Sequence, residues 1–311
     1  MCFERKIKIP SFAKINWVLK VLGSRSDSFH EVRTILQSID LADWITIKVT
    51  HSDNIQLEIS GRKVAKGKNN IIWKAAELLK KRAPNGSGAD IFLEKRIPVG
   101  AGLGGGSSNA AVTLLALNQV WSCGLKLTQL LELSRKLGSD VPFFLLGGTA
   151  LGKGHGDFMT PLPDPPEENI LLGYPGFSLS TQKAYAMGDW PRLNTTSGDL
   201  TKRRVDTKIR TFCEYAESNR RVHLLIENDF DKPLLKNFPR LAEIRWALEK
   251  SGCEAVSICG SGSTVLGVSV TSQPVMLRKD LSSTGIVEFF KVLTLSRDKY
   301  RAAFGQAGIK L

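Results

Sequence analysis

The chain has 311 residues, of which 42% are apolar and 23% charged, an ordinary balance for a soluble globular protein of two domains or one large one. No apolar run reaches the length of a membrane span, and the first ten residues lack the apolar core of a signal peptide, so the reading expects a cytoplasmic protein with no membrane partner. Five cysteines, odd in number and without a C-x-x-C pair, and four scattered histidines exclude a disulfide framework and a recognisable zinc site. Lys and Arg exceed Asp and Glu by 13, which suits an anionic partner. The excess is dispersed, with clusters at 62–68, 80–82 and 202–204 that carry no interleaved aromatics, so a small phosphorylated ligand is expected rather than nucleic acid.

In chain order, Trp44–Thr50 and Asn54–Ile59 alternate as strands around a turn. Asn70–Arg82 has helical spacing with an asparagine cap, and Ala89–Lys95 is a strand closed by Pro98. Helices are predicted over Ala110–Val120 and Thr128–Leu137, then a strand over Thr149–Leu151. The proline cluster Pro161–Pro166 reads as a linker, dividing the chain into domains 1–160 and 161–311. Beyond it come a strand (Ile170–Tyr174), a polar loop (Gly188–Leu200), and helices near Thr207–Ser218 and Pro239–Ser251. Strands at Ala255–Ile258 and Thr264–Val270, a helix over Gln273–Leu281 and a strand over Glu288–Leu295 complete the reading. Mixed strands and helices on both sides of the linker define two α+β domains.

The stretch Pro98-Val-Gly-Ala-Gly-Leu-Gly-Gly-Gly-Ser-Ser-Asn-Ala-Ala111 is the chemical signal. A glycine-rich turn that opens a helix points unpaired backbone N–H groups and the positive end of the helix dipole at one place, which is an anion site. A bare turn does not need five glycines, each of which costs roughly 0.5–1 kcal/mol relative to alanine. The Walker pattern is absent, because no glycine-lysine pair has the required spacing and a following Ser or Thr. The dinucleotide pattern matches at Gly100, Gly102 and Gly105, but no acid lies between Ala101 and Leu131 to hold a ribose.

The whole string closely resembles the signature loop of the GHMP kinases. Four further segments resemble that family in order: Ala13-Lys14-Ile15-Asn16 with Asp27-Ser28-Phe29-His30-Glu31, Gly138-Ser139-Asp140-Val-Pro-Phe-Phe144, the glycine hairpin Gly148–Gly156, and Gly260-Ser261-Gly262-Ser263. The resemblance implies a two-domain α+β fold, a glycine-loop domain followed by a ferredoxin-like one. It also implies ATP-dependent phosphorylation of an alcohol, within a branch whose substrate is a cytidine diphosphate-linked methylerythritol of the non-mevalonate isoprenoid route. On that resemblance Pro98, Gly100, Gly102, Leu103, Gly104, Gly105, Gly106, Ser107 and Ser108 cradle the ATP phosphates, and Asn70 and Lys95 serve the adenine side. Asp140 is the implied general base, although the chain alone favours a helix N-cap there, and Lys14 is its implied partner. Asn16, Phe29, His30, Thr181 and Tyr185 are implied substrate contacts, with aromatic rings on the cytosine. Mg2+ is expected to ride on phosphates and water, with no dedicated protein ligand. The family has glycine and tyrosine where Ser28 and Phe29 stand, and usually a serine where Cys259 stands. Another kinase of the family, or a basic RNA-binding protein on a related fold, are the alternatives.

Overall fold

The computed structural model describes residues 6–27, 29–50, 52–191, 193, 196–269 and 287–309. Two long strands, β1 (Lys6–Ser24) and β2 (His30–Thr50), pair antiparallel from Lys6 opposite Lys48 to Ser24 opposite His30. Alternation in the sequence reveals only the second half of β2. β1 alternates too, over Lys6–Ile9 and Ala13–Trp17, but Pro10-Ser11-Phe12 interrupts the period, and the polar residues are buried along with the apolar ones from Ile9 to Leu19.

The first domain continues with β3 (Ile55–Gly61), α1 (Ile71–Lys80), β4 (Gly88–Lys95), α2 (Gly105–Val120), α3 (Leu127–Arg135), α4 (Val141–Leu146), β5 (Thr149–Lys153) and β6 (Phe158–Pro161). Asn70 caps α1, its Oδ1 accepting from Ile72 N at 2.8 Å. The sheet runs β3-β4-β2-β1, with β5 on the first half of β2 and β6 beside β5. Helices α1 to α4 pack on one face and bury a continuous apolar core that includes Ile45, Ile91, Leu114 and Phe143.

Residues 162–168 carry no regular structure, in keeping with the prolines. Then follow β7 (Asn169–Tyr174), α5 (Thr181–Ala186), α6 (Thr196–Glu217), β8 (Glu227–Asn228), α7 (Asp231–Asn237), α8 (Pro239–Lys250), β9 (Cys253–Ile258), β10 (Val265–Ser269), β11 (Glu288–Leu293) and α9 (Arg297–Gln306). Strands β7, β9, β10 and β11 form an antiparallel sheet in the order β11-β7-β10-β9. Numbered within that sheet the order is 4-1-3-2, the ferredoxin-like arrangement expected. The expected loop at Gly188–Leu200 is shorter than predicted, since α6 begins at Thr196. The expected helix over Gln273–Leu281 lies outside the described residues. Two elements tie the halves together: β8 pairs parallel with β1, and α9 returns to the first core through Tyr300 and Phe304.

Irregularities in the β1–β2 register position the site. Before the shift at Phe12/Ala13, odd-numbered Ile7 and Ile9 belong to the core under the helices. After it, odd-numbered Ala13, Ile15 and Trp17 belong to a second core shared with the ferredoxin-like sheet. A bulge inverts which face a strand's alternate residues occupy. Lys14 and Asn16, two residues apart, therefore share the other face of β1, beside the glycine loop.

Candidate active site

A cavity of about 940 Å³ lies between the glycine loop, β1, the start of β2, and residues of the second domain. Every residue nominated from the sequence lines it except Ser108. Its middle holds Lys14 and Asp140, its two ends are built differently, and the residues at each end explain how.

At one end, the glycine loop enters α2 five residues before the predicted start, because Gly105 through Ser108 form its first turn. Gly104, with a φ of 69°, stands at the N-cap. Gly102 admits only glycine on grounds of space, because a Cβ there would lie 1.9 Å from the backbone carbonyl oxygen of Cys259. Three backbone bonds pin the loop: Lys14 N to Leu103 O at 3.0 Å, Leu179 N to Gly100 O at 2.9 Å, and Thr264 N to Ala101 O at 3.1 Å. The unpaired N–H groups at the start of a 16-residue helix thus face the cavity on a fixed loop.

A buried polar network supports that loop from beneath. Asp43, fully buried, accepts from Arg96 N at 2.7 Å, Ile97 N at 2.8 Å and Asn109 Nδ2 at 2.9 Å, and pairs with Lys95. Burial pulls the Lys95 ammonium below the ordinary lysine range, against the opposing effect of the Asp43 carboxylate. Asn109 also donates to Ser11, which donates to Ser108 Oγ at 2.8 Å. Ser108 is therefore turned into this network, fully buried, and its hydroxyl does not face the cavity as predicted. Ser107 does line the cavity.

At the middle, Lys14 Nζ donates to Asn16 Oδ1 at 2.8 Å and lies 3.5 Å from Asp140 Oδ2. Asn16 donates onward to Thr34 Oγ1 at 2.7 Å, so the amide oxygen is held toward the lysine. Asp140 occupies the N-cap position of α4, yet its side chain makes no capping hydrogen bond. The carboxylate is 35% exposed and is the one acid among the described residues that line the cavity. Such a group, beside an ammonium and open to the cavity, can accept a proton from a bound alcohol.

The other end is aromatic. His30 stacks on Tyr185 with centroids 4.4 Å apart, and Tyr185 meets Trp190 and Phe230 edge-on. Desolvation lowers the His30 imidazole below its ordinary 6.5. Burial, with a further contribution from the Asp140 charge, pushes the Tyr185 phenol up to about 12. Both rings are thus neutral at pH 7. Phe29 is 60% exposed and packs edge-on against His155 at 4.7 Å. The His30 and Tyr185 rings touch, so they leave no gap for a base between them. Thr181 Oγ1 lies 3.2 Å from Ser261 Oγ across the mouth. Ser28 lies outside the described residues, while Cys259 is buried and its thiol pushed up to about 12 by burial.

Sequence reasoning missed Asp43, Asn109, His155 and Phe230. The signal for Asp43 was an acid inside an otherwise apolar strand run; the others have none without the fold. Among the described residues no group of three His, Cys, Asp or Glu side chains is arranged to hold a metal, and no helix is long and apolar enough to cross a membrane.

A helix N-terminus built as an anion cradle, facing a lysine–aspartate pair across a two-domain cleft, defines a phosphotransferase of the GHMP kinase class. The pattern of the GHMP kinases N terminal domain matches residues 70–148, and that of the GHMP kinases C terminal domain matches 209–275. A 4-diphosphocytidyl-2-C-methyl-D-erythritol kinase of Geobacillus kaustophilus is 38% identical over 264 residues, covering 85% of this chain and 88% of its own. One from Solibacter usitatus is 36% identical over 307 residues, covering 99% and 94%. A crystal structure of 4-(cytidine 5'-diphospho)-2C-methyl-D-erythritol kinase superposes with a TM-score of 0.74 at 30% identity, covering 93% of this chain and all of that one. A homoserine kinase from Cytophaga hutchinsonii, at 16% identity and a TM-score of 0.69, shares the fold. The chain belongs to the 4-diphosphocytidyl-2-C-methyl-D-erythritol kinase family and is an ATP-dependent kinase.

Proposed function

We propose that the protein transfers the γ-phosphoryl group of ATP to the 2-hydroxyl of 4-diphosphocytidyl-2-C-methyl-D-erythritol, in the cytoplasm, as a step of the non-mevalonate isoprenoid route. The observation that carries the reading is the 3.5 Å Lys14–Asp140 pair, set where the glycine-loop end and the aromatic end of one cavity meet. Phosphoryl transfer asks the protein mainly for positioning and charge stabilisation. In this reading the first turn of α2 and Ser107 hold the phosphates, with Pro98, Gly100, Gly102, Leu103, Gly104, Gly105 and Gly106 shaping the loop. Asn70 and Lys95 line the adenine side. Asp140 takes the proton of the tertiary alcohol as the O–P bond forms. Lys14, fixed by Asn16, keeps that carboxylate ionised and orients the acceptor oxygen.

The cytosine stacks on the outer side of the His30–Tyr185 pair, with Phe29 as a second wall and Thr181 as a polar contact. Mg2+ travels with the nucleotide phosphates. A single carboxylate in the cavity lining fits a metal held mostly by phosphate and water, which it supplies with charge neutralisation. The domain division at 160/161 separates the glycine loop from the ferredoxin-like wall of the cleft. The substrate is a small molecule and not a nucleic acid. The test is an assay of purified protein with ATP and Mg2+ against three alcohols: 4-diphosphocytidyl-2-C-methyl-D-erythritol, mevalonate and homoserine. ADP formation is expected with the first alone; folded protein that forms ADP only with another alcohol, or with none, contradicts the reading.

A further inference from the structure

The two mouths of the cavity differ in charge. Around the aromatic end acids and bases are mixed: Arg25 bonds Asp27 and Glu31 at 3.2 and 2.9 Å, Arg33 bonds Glu31 at 2.6 Å, and Lys153 and Lys183 stand exposed nearby. The rim of the opposite end is formed by residues 63–70, which join β3 to α1. Val64, Ala65, Asn69 and Asn70 of this segment line the cavity. Lys63, Lys66 and Lys68 alternate with those lining residues, are exposed, and have no ion-pair partner among the described residues. From Gly61 to Ala76 the sequence contains no acid at all. Arg62, next in line, is already engaged by Glu288 at 3.0 Å and by the Arg96 carbonyl. The basic cluster that looks in sequence like an ordinary solvated face is therefore gathered on one lip of a phosphate-binding cavity.

We infer that Lys63, Lys66 and Lys68 form an electrostatic collar that speeds capture of the nucleoside triphosphate at its own end of the cavity. The inference rests on the kinase reading above. The nucleotide stays anionic even with Mg2+ on its phosphates, so a rim free of acids favours its arrival at this mouth, while the other ligand is chosen by ring stacking at the opposite one. Concentrated charge of one sign beside a cleft raises association rates of opposite charge by about 10 to 10³. At physiological ionic strength the field reaches only about 8 Å, so lysines must sit on the lip itself to act on an arriving ligand. Their flexible stems leave the ammonium groups hydrated, so they speed arrival more than they tighten the final complex.

The test is stopped-flow association of the fluorescent N-methylanthraniloyl-ATP with wild type, the triple variant Lys63→Gln/Lys66→Gln/Lys68→Gln, and the corresponding triple glutamate variant. CDP affinity and kcat at saturating ATP are measured alongside. The expected result is an association rate at low salt that falls about tenfold in the glutamate variant and less in the glutamine one. The three proteins converge as salt is raised toward about 1 M, where screening is complete within a few ångströms. kcat and CDP affinity stay at wild-type values. Association rates that match wild type at low salt overturn the collar, as does a deficit that persists at high salt or an equal loss of CDP affinity. Wild-type protein that fails to bind the ATP analogue overturns the kinase reading itself, and the collar with it.

Discussion

The two ends of the cavity hold their ligand-facing groups by opposite means. The glycine-loop end rests on a fully buried ion network, in which Asp43 ties Lys95, the chain at Arg96 and Ile97, and Asn109 into one unit. The aromatic end rests on rings, the half-buried His30 and Tyr185 stacked over the buried Phe230 and the exposed Phe29 against His155. A buried network punishes the loss of any member, because the charge left behind has neither water nor partner. Exposed rings punish only the loss of the surface they offer a ligand. The phosphate-handling half is thus built into the stability of the domain, whereas at the acceptor half the exposed Phe29 is nearly free of it.

The largest effect that separates the ends is on folding. Asp43→Ala strands the Lys95 ammonium in the core and is expected to cost about 3–5 kcal/mol, read as a lower midpoint in urea denaturation. A midpoint within error of wild type would remove the contrast. Phe29→Ala is expected to leave the same midpoint within about 0.5 kcal/mol, since the ring is mostly exposed. It should raise KM for the cytidine substrate about tenfold, the scale of one base–aromatic stack, without moving KM for ATP. A matching rise in both constants would mean that the ends are not separate.

The smallest effect is in pH dependence. His30 is depressed below 6.5 by desolvation, so its neutral form prevails at and above neutrality. KM for the cytidine substrate is expected to be flat above that value and to climb as pH falls below it, while KM for ATP does not follow. The same shift makes the folded state the poorer proton binder, so its stabilising contribution is present above 6.5 and is lost as pH falls. An unchanged pH profile in His30→Gln would assign the climb to another group.

The sequence made these two ends legible to different degrees. Glycine crowding and the residues around Asp140 are local in the chain, so their chemistry can be read there, including the start of a helix after the loop. The network beneath the loop could not be read, because its members are far apart in sequence: Lys95 lies 52 residues from Asp43, and Asn109 lies 98 from Ser11. Ser108 was misread for the same reason. Its neighbour Ser107 faces the cavity, but one step further around the helix turns the hydroxyl toward Ser11. The full length of β1 escaped notice because Pro10-Ser11-Phe12 splits its alternation into two short runs. The aromatic residues were identified through resemblance, yet the contact between His30 and Tyr185 exists only once α5 is packed against β2. The short helices α5 and α7, of six and seven residues, were likewise invisible to a period that needs more than two turns to declare itself.

Both ends converge on Asp140, whose carboxylate is free of the capping bond its position suggests. Turnover and nucleotide affinity of Asp140→Asn, measured on the same preparation, test the account most directly. The expected result is ATP-analogue binding at the wild-type level with turnover lower by at least about 10²-fold, the scale of a lost general base. Turnover close to wild type, with binding intact, would contradict it.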